Sequence, residues 1–294
     1  MHRTPSLHGL SHRFAVDCDD ERLGRQVDAL LAGLQAPDRA APVDHWYALT
    51  VDTGRGSVDV TRDGEPLALD QCPGDALGWL VWDVNRSAAE ASGHHLLFHA
   101  GALEANGTGV LLPGASGSGK STLVAGLARA GLGYLTDELA ALDMAQGELL
   151  PYAKPITVKA GSFAVLADMD PDRDGVPGAG LSTGQEWQLP VGADTGRHLG
   201  RSCAPGLVIV PRYVAGAATR LTPLSETEAF FSLALHAVNL LAHGAAGSAV
   251  LGSLAARCSS YALTTSDLDE ACAVVLELVG ERAPAALAGA GRAG

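Results

Sequence analysis

Residues Gly114-Ala115-Ser116-Gly117-Ser118-Gly119-Lys120-Ser121 satisfy the pattern GxxxxGK[ST] at every specified position, and Thr122 follows. An apolar run, Val110-Leu111-Leu112, precedes the glycines, and a helical pattern carrying Leu123 and Leu127 follows them. A strand that feeds a helix through such a loop confines the chain to α/β architectures. The glycines let backbone N–H groups turn inward around phosphate oxygens. The following helix adds the positive end of its dipole. In a loop of this kind Lys120 reaches the β- and γ-phosphates and the Ser121 hydroxyl ligates Mg²⁺. The candidate nucleotide-binding residues are therefore Gly114, Ala115, Ser116, Gly117, Ser118, Gly119, Lys120, Ser121 and Thr122, with ATP and Mg²⁺ as the expected cofactors.

Charge narrows the function classes. Asp and Glu number 33 against 20 Lys and Arg, a formal net charge of −13. Nucleic-acid and anionic-membrane binders need a basic footprint that this balance does not supply. The longest apolar stretch, Ala229 to Ala242, is interrupted by Ser232, His236 and Asn239 and is too short to span a bilayer. The first residues lack the apolar core of a signal peptide. The five cysteines form no CxxC pair, so neither a zinc site nor a disulfide framework is suggested. A cytoplasmic protein is expected.

Periodicity divides the chain. Residues 1–13 read as a flexible leader and 283–294 as a disordered tail. Residues 14–92 read as a small N-terminal α+β domain: strands at Phe14–Cys18, Trp46–Asp52 and Ser57–Arg62, helices at Glu21–Leu34 and Pro73–Ala91. Residues 93–282 carry the phosphate loop. Strands are expected there at His95–Ala105, Gly109–Pro113, Tyr134–Thr136, Leu139–Met144, Ile156–Lys159 and Leu207–Pro211. Helices are expected at Lys120–Ala130, Ser225–His243, Gly247–Cys258 and Asp267–Val279. The segment Asp168–Pro205 reads as a long functional loop.

The strand after the phosphate-loop helix ends in Asp137-Glu138, which in an open α/β sheet falls beside the phosphates. His99 lies on the strand before the phosphate-loop strand. This order (a histidine strand, the phosphate loop, then paired acids) resembles the catalytic domain of the HPr kinase/phosphorylase family. The likeness covers about 95–160 best and extends more weakly to about 280. It is nearest the broader set of HPr-kinase-like proteins, some of which phosphorylate a serine of a peptide natural-product precursor such as a lasso peptide, or free serine. The resemblance implies a P-loop HPr-kinase-like catalytic domain transferring the γ-phosphoryl group of ATP to a serine hydroxyl of a peptide or small protein. It implies Asp137 as the general base, Glu138 with Ser121 at the metal, and His99 orienting the acids or touching phosphate. Thr122 and Glu138 depart from the family pattern, which puts the reverse phosphorylase activity in doubt more than the kinase activity. The family's kinases are hexameric, which allows a homo-oligomer here. A free-serine kinase, and from other classes a nucleotide-gated regulatory protein or an ABC-like ATPase, are the alternative readings.

Three further features bear on the site. Lysine occurs only at Lys120, Lys154 and Lys159. Lys154 and Lys159 fall on opposite faces of a regular strand. Lys159, at the strand end, is the candidate for the phosphates, whereas Lys154 reads as a surface cation. Arg212, after the strand at Leu207, is the candidate to stabilise transferred charge. Leu181-Ser182-Thr183-Gly184-Gln185 resembles the ABC signature, but the next strand ends in Pro211-Arg212 rather than an acidic pair, so a flexible loop is expected. Asp170 to Gly175 matches the opening of an EF-hand loop, but position twelve is Leu181. His94 and His95 have no acidic partner at metal-ligand spacing.

Overall fold

The structure, a computed structural model, describes residues 1–171, 183–192 and 196–281. The N-terminal part contains β1 (His2–Arg3), β2 (Leu7–Gly9), β3 (His12–Cys18), α1 (Glu21–Leu30), β4 (His45–Asp52), β5 (Ser57–Arg62), β6 (Glu65–Gln71) and α2 (Pro73–Ala91). Its sheet runs β1-β3-β4-β5-β6, with β2 also on β3. Asp20 caps α1 by accepting a hydrogen bond from Leu23 N at 2.8 Å. The α1 crossover makes β3 and β4 parallel. Asp63 and Gly64 both take positive φ, 52° and 85°, and turn β5 into β6. Residues 1–13 are not a loose leader. Thr4 Oγ1 accepts from Val16 N at 2.9 Å, and Leu7 is buried in the core.

The second part contains β7 (Leu96–Ala105), β8 (Thr108–Pro113), α3 (Lys120–Arg129), β9 (Gly133–Thr136), β10 (Leu139–Asp143), β11 (Glu148–Leu150), β12 (Ile156–Lys159), β13 (Glu186–Leu189), β14 (Ala204–Tyr213), β15 (Arg220–Pro223), α4 (Glu226–His236), α5 (Leu240–Arg257), β16 (Ser259–Thr265) and α6 (Leu268–Glu281). The main sheet runs β11-β10-β7-β8-β14-β16-β15, with β9 on β7; β12 and β13 pair separately. The ladders β8–β14 and β14–β16 are parallel, and those at β7 are antiparallel. The fold is mixed α/β, with helices on both faces of this sheet.

Strand alternation builds the layers. Val110 and Leu112 of β8 and Leu207 and Ile209 of β14 pack with Leu123, Val124 and Leu127 of α3 and Val275 of α6. Leu111 and Val208, one step out of phase, pack on the other face with Leu233 of α4 and Leu251 and Leu254 of α5. Each such fully buried side chain is worth roughly 1.5–3 kcal/mol against exposure. A third cluster joins the two parts: Leu77 and Leu80 of α2 share it with Leu97, Leu139, Ala141 and Tyr152. The boundary expected near residue 93 thus separates two sheets along the chain while their cores remain continuous.

The helix expected over 225–243 is two helices. A capping box opens α4, with Ser225 accepting from Glu228 N at 3.3 Å. The chain breaks at 237–239, where the Asn239 side chain accepts from Leu97 N at 2.9 Å and donates to His95 O at 2.8 Å. Asp172–Gly175 of the EF-hand-like stretch, Leu181-Ser182 and the tail 283–294 lie outside the described residues. Among the described residues no cysteine is joined in a disulfide. Among the described residues no helix is long and apolar enough to cross a membrane.

Candidate active site

The phosphate loop connects β8 to α3. Gly117 and Gly119 adopt φ of 83° and 89°, a region closed to most side chains. Gly119 is the N-cap of α3 and offers no side-chain acceptor, so the first-turn N–H groups remain open to an anion. The Ser118 hydroxyl is buried with no hydrogen-bond partner. A buried hydroxyl and free helix N–H groups on one loop form a donor set suited to phosphate oxygens. Gly101 of β7 makes the close packing feasible, because a Cβ there would overlap Val124 Cγ2 of α3.

Lys120 is buried at 6% exposure and donates to Gly114 O at 3.1 Å. Burial pushes its pKa down to about 8, and the Lys154 charge adds to this, against the opposing pull of Asp137 and Glu138. An anionic ligand in this cradle of donors would add to the pull of Asp137 and Glu138 and favour the charged lysine.

Asp137 follows β9 and is 1% exposed. Its Oδ1 accepts from Tyr134 OH at 3.0 Å and lies 2.7 Å from Lys154 Nζ. Its Oδ2 accepts from Ser121 Oγ at 3.2 Å and from Thr157 N at 3.2 Å. The carboxylate is therefore fully engaged, and it clasps the very hydroxyl expected at the metal. Glu138 is different. Its side chain is 42% exposed, it lines the cavity, and it lies 3.4 Å from Lys154 Nζ. Its carbonyl accepts from Ala100 N at 3.0 Å, which ties the acidic turn to β7. The Ser121 hydroxyl and the Asp137 carboxylate that orients it are oxygen donors. That set fits Mg²⁺, which is held by one or two carboxylates together with substrate phosphates and water. Among the described residues no cluster of three or more His, Cys, Asp or Glu could hold a metal ion.

Lys154 corrects the sequence reading. It is not a surface cation but is 1% exposed, between Asp137 and Glu138, and it also donates to Pro155 O at 3.1 Å. Burial alone would lower its pKa, but Asp137 and Glu138 outweigh burial and raise it. Lys159 is exposed and reaches the loop, with Nζ 3.4 Å from Ser116 Oγ. Thr122 Oγ1 sits 2.5 Å from Ser162 Oγ and lines the cavity.

His99 lies opposite Leu139 in the β7–β10 ladder, beside the acidic turn, and lines the cavity. Burial and the nearby Lys120 charge lower its pKa, so the ring is neutral at pH 7. Arg212 is the site residue that the structure does not bring in. It is exposed, while its neighbours Pro211 and Tyr213 line the cavity. β14 extends through Tyr213, and alternation turns Arg212 to the other side. The His94 and His95 rings meet at a tilt with centroids 4.0 Å apart, and neither lines the cavity.

The cavity that these groups enclose has a volume of about 550 Å³, within the range of small-molecule sites. Its walls join the phosphate loop, Asp137, Glu138 and His99 to Tyr213 and the 265–268 turn, and to Val81 and Trp82 of α2.

No family model matches the chain, and no curated protein matches it. Among solved structures the chain is similar to the HPr(Ser) kinase/phosphatase from Coxiella burnetii, at 12% identity and a TM-score of 0.27, over 63% of this chain and 95% of that one. At that identity and TM-score the overlap assigns no residue a role.

Proposed function

We propose that this chain is an ATP- and Mg²⁺-dependent kinase that phosphorylates a serine hydroxyl of a peptide or small protein. The observation that carries this reading is the joining of phosphate loop and acidic turn through the Ser121–Asp137 hydrogen bond, with the Glu138 side chain partly exposed to the same cavity. Phosphoryl transfer asks a protein for positioning, cations on the phosphates and a carboxylate beside the acceptor, which the loop, Lys120 with Lys159, and Glu138 would supply.

Bound ATP with Mg²⁺ supplies the phosphoryl group and neutralises its charge. The loop N–H groups, Ser118 and Lys120 hold the phosphates, with Lys159 at the rim. Ser121 would hold the metal through its hydroxyl oxygen, which Asp137 orients by accepting its hydrogen bond. Glu138 takes the proton of the serine hydroxyl as that oxygen bonds phosphorus and the bridging oxygen leaves with ADP. This reverses the expected roles of the acidic pair: Asp137 has no free lone pair to accept a proton, whereas Glu138 is exposed to the cavity. Neutral His99 beside Glu138 offers a hydrogen bond that orients it or the acceptor.

The test is incubation with γ-labelled ATP and three acceptor conditions: a serine peptide, free serine, and none. Label on the peptide supports the reading. Label on free serine alone reassigns the acceptor, and release of inorganic phosphate without acceptor labelling overturns the kinase.

A further inference from the structure

The cavity continues beyond the acidic turn. Gly78, Trp82, Glu186 and Gln188 line it and also line a second cavity of about 480 Å³. Gln188 stands opposite Thr157 in the β12–β13 ladder and accepts from its hydroxyl at 3.1 Å, and Thr157 N donates to Asp137. The second cavity therefore adjoins the acidic pair, where an acceptor hydroxyl must arrive. The adjoining strands of the main sheet lead the other way: β14 and β16 lie across β8 from β7.

One face of α2 forms its floor. Gly74, Asp75, Gly78, Trp79 and Trp82 fall together at helical spacing. Gly78 leaves open space where a Cβ would stand. Trp79 and Trp82 meet edge to face with centroids 5.5 Å apart, and they remain 41% and 54% exposed. Burying indoles of that size elsewhere would be favourable, so two left at a cavity mouth point to a ligand. Arg86 lies 5.8 Å from the Trp82 ring and is itself held by Asp83 at 2.6 Å and Glu90 at 2.7 Å. Asp75 and Glu186 line the cavity, and no lysine or arginine does so among the described residues.

We propose that this second cavity is the subsite for an acceptor peptide and takes a lysine or arginine side chain flanking the serine. The proposal rests on the kinase reading above. Two exposed indoles attract a cation over their faces, and the Asp75 and Glu186 carboxylates, the latter opposite Lys159 in the β12–β13 ladder, favour the same ligand in a cavity that no described lysine or arginine lines.

Calorimetry on the full chain tests it at low ionic strength, with a capped serine pentapeptide carrying one arginine beside the serine and with its glutamate counterpart. The arginine peptide is expected to bind about tenfold more tightly. Trp79→Ala and, separately, Glu186→Gln are expected to remove most of that preference, while an ATP titration of each variant reports that it is folded. Equal binding of the two peptides, or a preference kept in both variants, overturns the proposal. Phosphate transfer is then measured with the same peptides. Charge-selective binding without transfer overturns the kinase reading and leaves a cation site. Transfer without charge preference overturns the cation site and leaves the kinase.

Discussion

Lys154 Nζ lies 2.7 Å from Asp137 Oδ1, and both side chains are 1% exposed. The pair lies directly behind the phosphate loop, because the other oxygen of Asp137 accepts from Ser121. Glu138 is attached to the same lysine from the cavity side. One buried cation thus fixes both acids.

Removing that cation leaves a buried carboxylate unpaired. Lys154→Met is expected to destabilise the fold by about 3–5 kcal/mol, read from urea unfolding. Adding Asp137→Asn should recover a substantial part of the loss, since the uncompensated charge is then gone. Two losses that simply add would show that the residues do not act as a pair.

The acidic residues should separate in their effects. Glu138→Gln is expected to bind ATP with Mg²⁺ normally and to lose transfer by roughly 10²–10⁴-fold, the usual contribution of a positioned base. Asp137→Asn should instead weaken the Mg²⁺ dependence of binding, because it loosens Ser121. Isothermal titration with and without Mg²⁺, beside a transfer assay, distinguishes the two.

Nucleotide affinity should fall with rising pH. In the free protein Lys120 titrates near pH 8, and phosphates favour its charged form, so binding takes up a proton above that pH. Affinity should be flat below pH 8 and then decline towards about tenfold per pH unit. The stability term has the opposite slope. The unfolded chain holds this proton more tightly, so stability from this group rises between about pH 8 and 10.5. A nucleotide titration that is level from pH 7 to 9.5 would show that the Lys120 charge is not what the phosphates engage.

Gly119→Ala is expected to lower stability by roughly 1–2 kcal/mol, because φ of 89° strains an L-residue, and to weaken ATP binding by tilting the first N–H groups of α3. Arg212→Ala should change ATP affinity by less than about twofold, since its side chain lies outside the cavity. Fluorescent-nucleotide titrations measure both.

Local sequence carried the loop. Gly114 to Ser121 needs only its own spacing, and the strand on one side and helix on the other confirm it. The acidic turn was equally legible, because Asp137-Glu138 ends a short apolar strand. Partners distant in sequence were not. Thr4 pairs with Val16, so a segment without periodicity became strand. The helix over 225–243 looked continuous because apolar spacing runs through Ala237 and Val238, but Asn239 is captured by β7. Alternation counted back from Lys159 puts Lys154 on the opposite face, but that count runs past Ile156, where β12 begins after Pro155. The lysine therefore precedes the strand and turns inward. Its one signal was the scarcity of lysine. Tyr134, Thr157 and Gly101 gave none, since their roles come from contacts the fold creates.

The most direct measurement is mass spectrometry of a serine-containing peptide after incubation with ATP, Mg²⁺ and either the natural protein or Glu138→Gln. The expected result is a phosphoserine with the natural protein and at least about a hundredfold less with the variant. An unmodified peptide in the presence of natural protein that binds ATP, or equal phosphorylation by the variant, would contradict the account.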